Sequence, residues 1–535
     1  MSDKPIVLMP EDIQRIMGKD AQRNNIMAAR MVAEMVKTTL GPKGMDKMLV
    51  SPTGDIIVTN DGVTILEEMQ IEHPAAKMMV DIARTQDSEV GDGTTTVVMI
   101  AGKLLENAEK LLDQKIHPTV IARGYKIAAE KCQEILNEIA VKISPDDDNL
   151  LKQVAMTSMT GKGAESSKEK FADIVVRAIK QIQTNGVVDL NNIKIEKSKG
   201  EGMADTELIA GIVIDKEKIS SDMPSIVQGA KIALVDFGLE LKNPEIDTKI
   251  SISSPDQLQG FLNQEERLIK EMVAKVLATG ANVIFCQKGV DDFAQYLFSK
   301  SKIYVCRRVA KSDMEKLAKA TGGKIVSNIN EMSSVELGEA ELVEEVKHGD
   351  DSLTYVRGCK NPKAVTILIH GGTDHSIDET ERALKDGLGV VVSSLKTKLV
   401  VPGGGAIDIE LARKLRHFGQ SLSGREQFAV EEFASALEFI PITLAENAGL
   451  DPIDILTELK SKHDSGDRNA GLNLFNNKIE NVLEAKIIEP YKIKSQAITS
   501  ASEVACMILR IDDVIAANAK SKGSSNKYAD GMSEY

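Results

Sequence analysis

The chain has 535 residues, too many for one hydrophobic core, so roughly two to four domains are expected. Hydrophobic residues make up 42% and charged ones 27%, while a net charge of −14 argues against nucleic-acid and anionic-membrane partners, which require basic surfaces. Aromatic content of 3% with no Trp leaves few platforms for stacking bases, and no apolar run is long enough to span a bilayer.

Terminal strands are expected near residues 4–8 and 514–517, the first ahead of a long helix. Residues 10 to 39 read as that helix, with Met27, Met31 and Met35 on one row beside Val32 and Val36. Gly41-Pro42-Lys43-Gly44 ends it. Asp46–Val50 and Ile56–Thr59 predict a β-hairpin around Ser51-Pro52-Thr53-Gly54, followed at once by the turn Asn60-Asp61-Gly62. The pattern is then helical from about 66 to 143, and Pro145-Asp146-Asp147-Asp148 marks a boundary. Short β-branched runs at 186–189, 209–214 and 231–235 introduce an α/β stretch. It continues with strands at 281–286, 303–309 and 324–326 and helices near 290–300 and 313–320. Ser254-Pro255-Asp256-Gln257 and Ser312-Asp313-Met314-Glu315 both have capping-box spacing, with Pro255 at the favoured first helical position. Ala364–His370 predicts a buried strand, and a helix follows from 376 to about 393. Val401-Pro402-Gly403-Gly404-Gly405 breaks the chain again, and the rest is mostly helical up to a Gly/Ser/Lys-rich tail from Ser521, expected to be disordered.

Cys132, Cys286, Cys306, Cys359 and Cys506 are scattered and never in C-x-x-C spacing, which fits reduced thiols of a cytoplasmic protein better than a disulfide framework or zinc site. The N-terminus, Met1-Ser2-Asp3-Lys4-Pro5, lacks the basic and apolar regions of a signal peptide. His370 and His375 flank Gly371-Gly372 without Cys or His partners, as loop residues rather than metal ligands.

Gly91-Asp92-Gly93-Thr94-Thr95-Thr96 is the most informative stretch. It is a glycine turn with one carboxylate, opening straight into the helical pattern Val97-Val98-Met99-Ile100-Ala101. The free N–H groups and positive dipole end of a helix start favour an anion, and the threonine hydroxyls add donors. Asp92 would repel a bare phosphate, so its presence suggests a bridging Mg²⁺, which takes carboxylate and phosphate oxygens together. A plain helix-capping turn also accommodates the motif. No G-x-x-x-x-G-K-[ST] occurs, so a phosphate site here is of another type.

Taken in order, Thr39-Leu40-Gly41-Pro42-Lys43-Gly44-Met45-Asp46-Lys47, Thr59-Asn60-Asp61-Gly62-Val63-Thr64, Gly91–Thr96 and Gly161-Lys162-Gly163 resemble the group II chaperonins, the archaeal thermosome subunits and their eukaryotic cytosolic relatives. The resemblance continues through Arg382-Ala383-Leu384-Lys385-Asp386, Pro402–Ala406, Asn469-Ala470-Gly471-Leu472 and Leu509-Arg510-Ile511-Asp512-Asp513, covering almost the whole chain. It implies a multidomain α and α/β chaperonin fold. A discontinuous, mainly helical equatorial domain would be built from 1–143 and 403–520, and a small intermediate domain from 144–214 and 367–402. An α/β apical domain would span 215–366, with a helical protrusion about 241–272 as a built-in lid. Phosphate-type turns near 41, 61, 92 and 403–405 would share one site only if the middle of the chain is an insertion.

The resemblance also implies residue roles. Asp92 would hold Mg²⁺; Leu40, Gly41, Pro42, Gly93, Thr94, Thr95 and Thr96 would cradle the phosphates of ATP; Gly404 and Gly405 would pack under the nucleotide. Glu489 and Lys494 would lie at its ribose and base end, and Lys162 would sense the γ-phosphate. Asp61 would order the attacking water and the metal shell, and Asp386 would position or deprotonate that water. By periodicity alone Asp386 points away from Ile377, Leu384 and Leu388, as a solvated Asp also would. Asp408 stands where many relatives carry Glu, which puts the usual inter-subunit ion pair there in doubt, and the tail lacks Gly-Gly-Met repeats. The implied function is an ATP-dependent chaperone, with identical or paralogous subunits in two stacked rings of eight or nine enclosing non-native client proteins. A Mg-ATP-dependent small-molecule phosphotransferase and a structural assembly subunit are the rival readings.

Overall fold

Periodic stretches at the two ends of the chain fold into helices that share one core. The computed structural model describes residues 13–163, 165–200, 202–240, 255–348 and 351–517. The first group comprises α1 (Lys19–Lys37), α2 (Gly62–Glu68), α3 (Pro74–Val90), α4 (Thr94–Asp113) and α5 (Pro118–Ile139). Next come α6 (Asp148–Met159) and α7 (Lys168–Ile182), then α8 (Pro255–Ala278), α9 (Asp292–Lys300) and α10 (Lys311–Thr321). The chain returns through α11 (Asp374–Thr397), and ends with α12 (Ala406–Ser421), α13 (Glu426–Asn447), α14 (Pro452–Asp464) and α15 (Tyr491–Leu509). Val97, Val98, Met99, Ile100 and Ala101 are all fully buried, so the first half of α4 is apolar on every side and forms the axis of the first core. α1, α13 and α15 pack directly on α4, and residues 26–136 and 401–509 build one continuous apolar cluster.

The second core joins α6, α7 and α11 to strand Val365–Gly371, which lies parallel to Ile193–Lys199 and antiparallel to Glu207–Ile209. Every residue of Val365–Gly371 is buried, as a central strand covered on both faces requires. The third unit is a seven-stranded mixed sheet running Tyr304–Cys306, Val283–Cys286, Ile226–Val235, Gly338–His348, Asp351–Arg357 and Gly211–Ile214, with Ile325–Val326 beside Ile226–Val235. α10 covers one face through Met314 and Leu317; α8 and α9 cover the other through Ile269, Val273, Val276 and Phe298. The hairpin Lys47–Val50/Ile56–Thr59 forms as its alternation and turn predict.

Several expectations are corrected. Residues 13–17 are not helix: Ile13–Met17 is a strand paired antiparallel with Asp513–Ala517, and α1 begins only after Gly18. The expected strand near 4–8 and the tail from 521 lie outside the described residues, as do 241–254 of the expected protrusion. Met27, Met31 and Met35 form an exposed row of α1, while Ala21, Ile26, Ala29, Val32, Ala33 and Val36 face the core. No strand forms at 186–189, where Val187 makes only an isolated bridge to Thr184. Ser312 is inside α10, whose N-cap is Ala310, so no capping box forms there; Pro255 does open α8. On α8 Leu268 is exposed, whereas Ile269 is buried.

Candidate active site

Four turns that are remote in sequence close on one cavity of about 220 Å³. They are the loop after α1 with Leu40, Gly41 and Pro42; the turn Asn60-Asp61-Gly62; the turn before α4 with Asp92; and Gly404-Gly405 before α12. Gly93, Thr94, Thr95, Thr96, Lys162, Glu489 and Lys494 complete the predicted set lining it. Asp386 reaches it from α11, by binding Lys162.

Side chains of Asp61, His73, His117, Asp147, Asp291, Thr373 and Asp451 cap the helices that follow them. α4 and α12 instead start from left-handed glycines, Gly93 and Gly405, with no side-chain cap. The amide dipoles of both helix starts therefore act on the cavity unscreened by a capping oxygen. At Gly93 (φ +83°) a Cβ would lie 2.7 Å from Ile493 Cγ2, so only glycine lets the turn pack against α15. Gln86 is fully buried beneath this turn and donates to the carbonyls of Asp92 (3.0 Å) and Ile493 (3.2 Å).

Three acids and one lysine meet at one end. Asp61 Oδ2 accepts from Thr64 N at 3.0 Å and Thr64 Oγ1 at 2.7 Å, and its Oδ1 from Thr94 Oγ1 at 3.3 Å. Asp92 Oδ1 accepts from Gly93 N at 2.8 Å. Lys162 Nζ bridges Asp386 Oδ2 and Asp92 Oδ1, the latter at 3.7 Å. Burial works against the Lys162 charge, but Asp386, Asp92 and Asp61 outweigh it and hold its pKa well above the lysine norm. Burial pushes the Asp386 carboxyl up, opposed by Lys162 and reinforced by Asp92 and Asp61. The cluster carries more negative than positive charge, which suits an added cation.

At the other end Lys494 is held by Asp408 Oδ2 at 2.8 Å and by Glu489 Oε2 at 3.8 Å. Burial resists its charge, yet Asp408 and Glu489 raise its pKa to about 12. Asp408 is fully buried inside the subunit, so its carboxylate serves Lys494 and not an inter-subunit pair. Two residues further along α12, Glu410 Oε2 meets His463 Nδ1 at 3.0 Å, and Arg413 Nη2 donates to Glu410 Oε1 at 2.7 Å. Despite burial, His463 and Arg413 lower the Glu410 pKa from 4.5 to about 2. A depressed carboxyl stabilises the fold above its unfolded value and loses that contribution as pH falls through its folded one. Glu410→Gln should therefore cost about 2–3 kcal/mol at pH 7, and the difference from the unaltered chain should vanish as pH drops from 4.5 towards 2. Thermal melts across that range measure it.

Sequence reasoning did not single out Asn60, Gln86 or Phe475, all close to the cavity. Asn60 was visible only as the partner of Asp61 in a common turn, and Phe475 had no signal.

A sequence profile of the TCP-1/cpn60 chaperonin family matches residues 32–519. A thermosome subunit of Methanopyrus kandleri is 57% identical over 523 residues, covering 97% of this chain and 96% of the relative. A thermosome subunit beta of Archaeoglobus fulgidus is 55% identical over 538 residues, 100% of this chain and 99% of the relative. A thermosome subunit of Pyrococcus horikoshii is 53% identical over 539 residues, 100% of this chain and 98% of the relative. With a multidomain α and α/β architecture and full-length matches, the chain belongs to the TCP-1/cpn60 chaperonin family.

Proposed function

We propose that this chain binds Mg-ATP in the 220 Å³ cavity and that hydrolysis there drives closure of a chamber around non-native protein. Family members are ATPases that drive protein-folding cycles. The observation that carries the residue-level reading is the convergence of four glycine turns on the Asp92–Lys162–Asp386 bridge. Gly41, Pro42 and the Gly93–Thr96 turn cradle the triphosphate, Gly404 and Gly405 floor the cavity, and Glu489 and Lys494 face the ribose and base.

The donor set fits Mg²⁺. Among the described residues no three His, Cys, Asp or Glu side chains converge closely enough to hold a metal alone. Mg²⁺ commonly takes one or two carboxylates and completes its shell with phosphate oxygens and water. Asp92 would hold it, and the ion would offset charge on the phosphates. Lys162, released from Asp386, pairs with the γ-phosphate. Asp61 and Asp386 orient the attacking water. The water oxygen bonds to the γ-phosphorus as the bond to the ADP oxygen breaks, ADP keeps that electron pair, and the water proton passes to Asp386.

The three cores correspond, in this reading, to the equatorial (1–143, 403–520), intermediate (144–214, 367–402) and apical (215–366) domains. Subunits with alpha and beta paralogues among the relatives support a multisubunit assembly, and two stacked rings of eight or nine in the cytoplasm are the proposed form. Light scattering on the purified chain, combined with ATP-dependent refolding of a denatured client, tests this. A monodisperse monomer, or refolding indifferent to ATP, would overturn it.

Phe261 and Leu262 are 41% and 45% exposed on the outer half of α8, whose inner half is anchored by Ile269, Val273 and Val276. Exposed apolar residues at the far end of an anchored helix suit contact with neighbouring subunits at a lid. Phe261→Ser with Leu262→Ser should keep assembly and ATP hydrolysis while exposing an enclosed client to protease. Undiminished protection would remove these residues from the lid.

A further inference from the structure

The turn that carries Asp92 is flanked by Gly91 and Gly93, both left-handed, at φ +79° and +83°. Glycine takes either sign of φ at little cost, so nothing local fixes the orientation of the peptide between Asp92 and Gly93. A residue of α3 does. Gln86 is fully buried, and its Nε2 donates to the Asp92 carbonyl at 3.0 Å and to the Ile493 carbonyl at 3.2 Å. A Cβ on Gly93 would lie 3.1 Å from that Nε2, so the glycine also makes room for the amide.

The Asp92–Gly93 peptide is trans, which sends its carbonyl and its N–H to opposite sides. With the carbonyl held by Gln86, the Gly93 N–H points the other way and donates to Asp92 Oδ1 at 2.8 Å. The same Oδ1 faces Lys162 Nζ at 3.7 Å. One buried amide therefore fixes a peptide, and the peptide fixes a carboxylate oxygen. The second bond of Gln86 ties the turn to α15, one residue before Lys494.

We propose that Gln86 is a further positioning residue of the nucleotide site, acting through the Asp92–Gly93 peptide to hold the Asp92 carboxylate ready for Mg²⁺ bound with ATP. This rests on the Mg-ATP reading above. A carboxylate already in place binds the ion at its full affinity; one on a turn that flips between two orientations is competent only part of the time, and its apparent affinity falls by that fraction. Loss of the Gln86 donors should weaken the site towards the metal and leave the contacts to sugar and base as they are. An amide that only tied α3 to α15 would instead lower stability and affect metal-free and metal-bound nucleotide alike.

The test uses the full-length assembly and equilibrium binding, with no turnover required. ATP binding is titrated in EDTA and in excess Mg²⁺, and the Mg²⁺ concentration that gives half-maximal binding at fixed ATP is recorded. Gln86→Met keeps the volume and loses both donors. It should raise that Mg²⁺ concentration about 10-fold, with affinity for metal-free ATP within about threefold of the unaltered chain's. Gln86→Glu keeps the shape, with at most one donor for two carbonyls, and should shift it in the same direction. Ile82→Ala, one turn earlier on α3 and buried in the first core, is the control for lost stability: its melting temperature without nucleotide should fall while its Mg²⁺ requirement stays. A Mg²⁺ requirement within about twofold of the unaltered chain's in Gln86→Met, or in Gln86→Glu where only that variant assembles, would overturn the proposal. So would equal losses of metal-free and metal-bound ATP. If the unaltered chain binds no ATP, or binds it regardless of Mg²⁺, the Mg-ATP reading falls together with this one; an unchanged Mg²⁺ requirement in the Gln86 variants removes this one alone.

Discussion

Asp386→Ala is expected to lower ATP turnover by about 10²- to 10⁴-fold without weakening ATP binding. The reason lies in the charge arrangement. Lys162 is neutralised by Asp386 and Asp92, and the cavity already carries an excess of acids. Removing Asp386 takes away one negative charge and frees Lys162 to meet the triphosphate, so ground-state affinity should hold or rise. The lost interaction belongs to the transition state, where the water must surrender its proton. Asp92→Ala should do the reverse and weaken Mg-ATP binding about 10- to 100-fold, because the cation loses a carboxylate. Equilibrium binding and single-turnover hydrolysis separate the two. Asp386→Ala turning over at the unaltered rate would exclude Asp386 from the chemistry.

Gly161→Ala is expected to be nearly as damaging, for a steric reason. Gly161 sits at φ +81°, and a Cβ there would lie 2.9 Å from the Pro42 carbonyl carbon and 3.0 Å from its oxygen. Both obstacles are backbone, so no rotamer change relieves them. The turn bearing Lys162 would have to lift off the loop after α1, which also breaks the Asn60–Gly161 bond. Turnover should fall about 100-fold, with a stability loss of about 1–3 kcal/mol. Gly186→Ala is the control: the same left-handed backbone, φ +80°, with nothing within 4 Å of its Cβ. If Gly161→Ala costs no more turnover than Gly186→Ala, close packing of the two loops is not required.

What was legible in the sequence was mostly local. The Gly91–Thr96 turn, the hairpin at 47–59 and the strand at 365–371 are each specified by residues within a few positions, and the structure forms them. Periodicity found α1 but not its inward face. A row of methionines is the louder pattern, yet the core side mixes Ile26, Val32 and Val36 with alanines, whose small side chains let α4 approach. Ile13–Met17 was misread because its short apolar–polar mix fits either period, and only the distant Asp513–Ala517 decides for a strand. Asp408 and Asn60 share a different difficulty. Nothing near them in sequence says that they are buried, and their partners Lys494 and Gly161 come from other parts of the chain.

The pairing of Ile13–Met17 with Asp513–Ala517, and the packing of α13 and α15 around α4, also set the order in which the chain can mature during synthesis. The seven-stranded sheet, whose core residues lie between 212 and 364, can close on its own core as it leaves the ribosome, whereas the second core also waits for Ile488 and Ile493. The first-made helices cannot complete theirs: α1 and α3 can pack on α4 early, but the faces taken by α13 and α15 stay open until residues beyond 426 arrive. The nascent chain thus carries part of an apolar helix exposed for most of its translation, the very kind of surface that invites aggregation. The cavity also lacks Gly404 until about three quarters of the sequence is made, and Glu489 and Lys494 until the last tenth or so. Nucleotide binding would then report completion of the chain, and ribosome-bound intermediates stopped before residue 480 should hold no ATP.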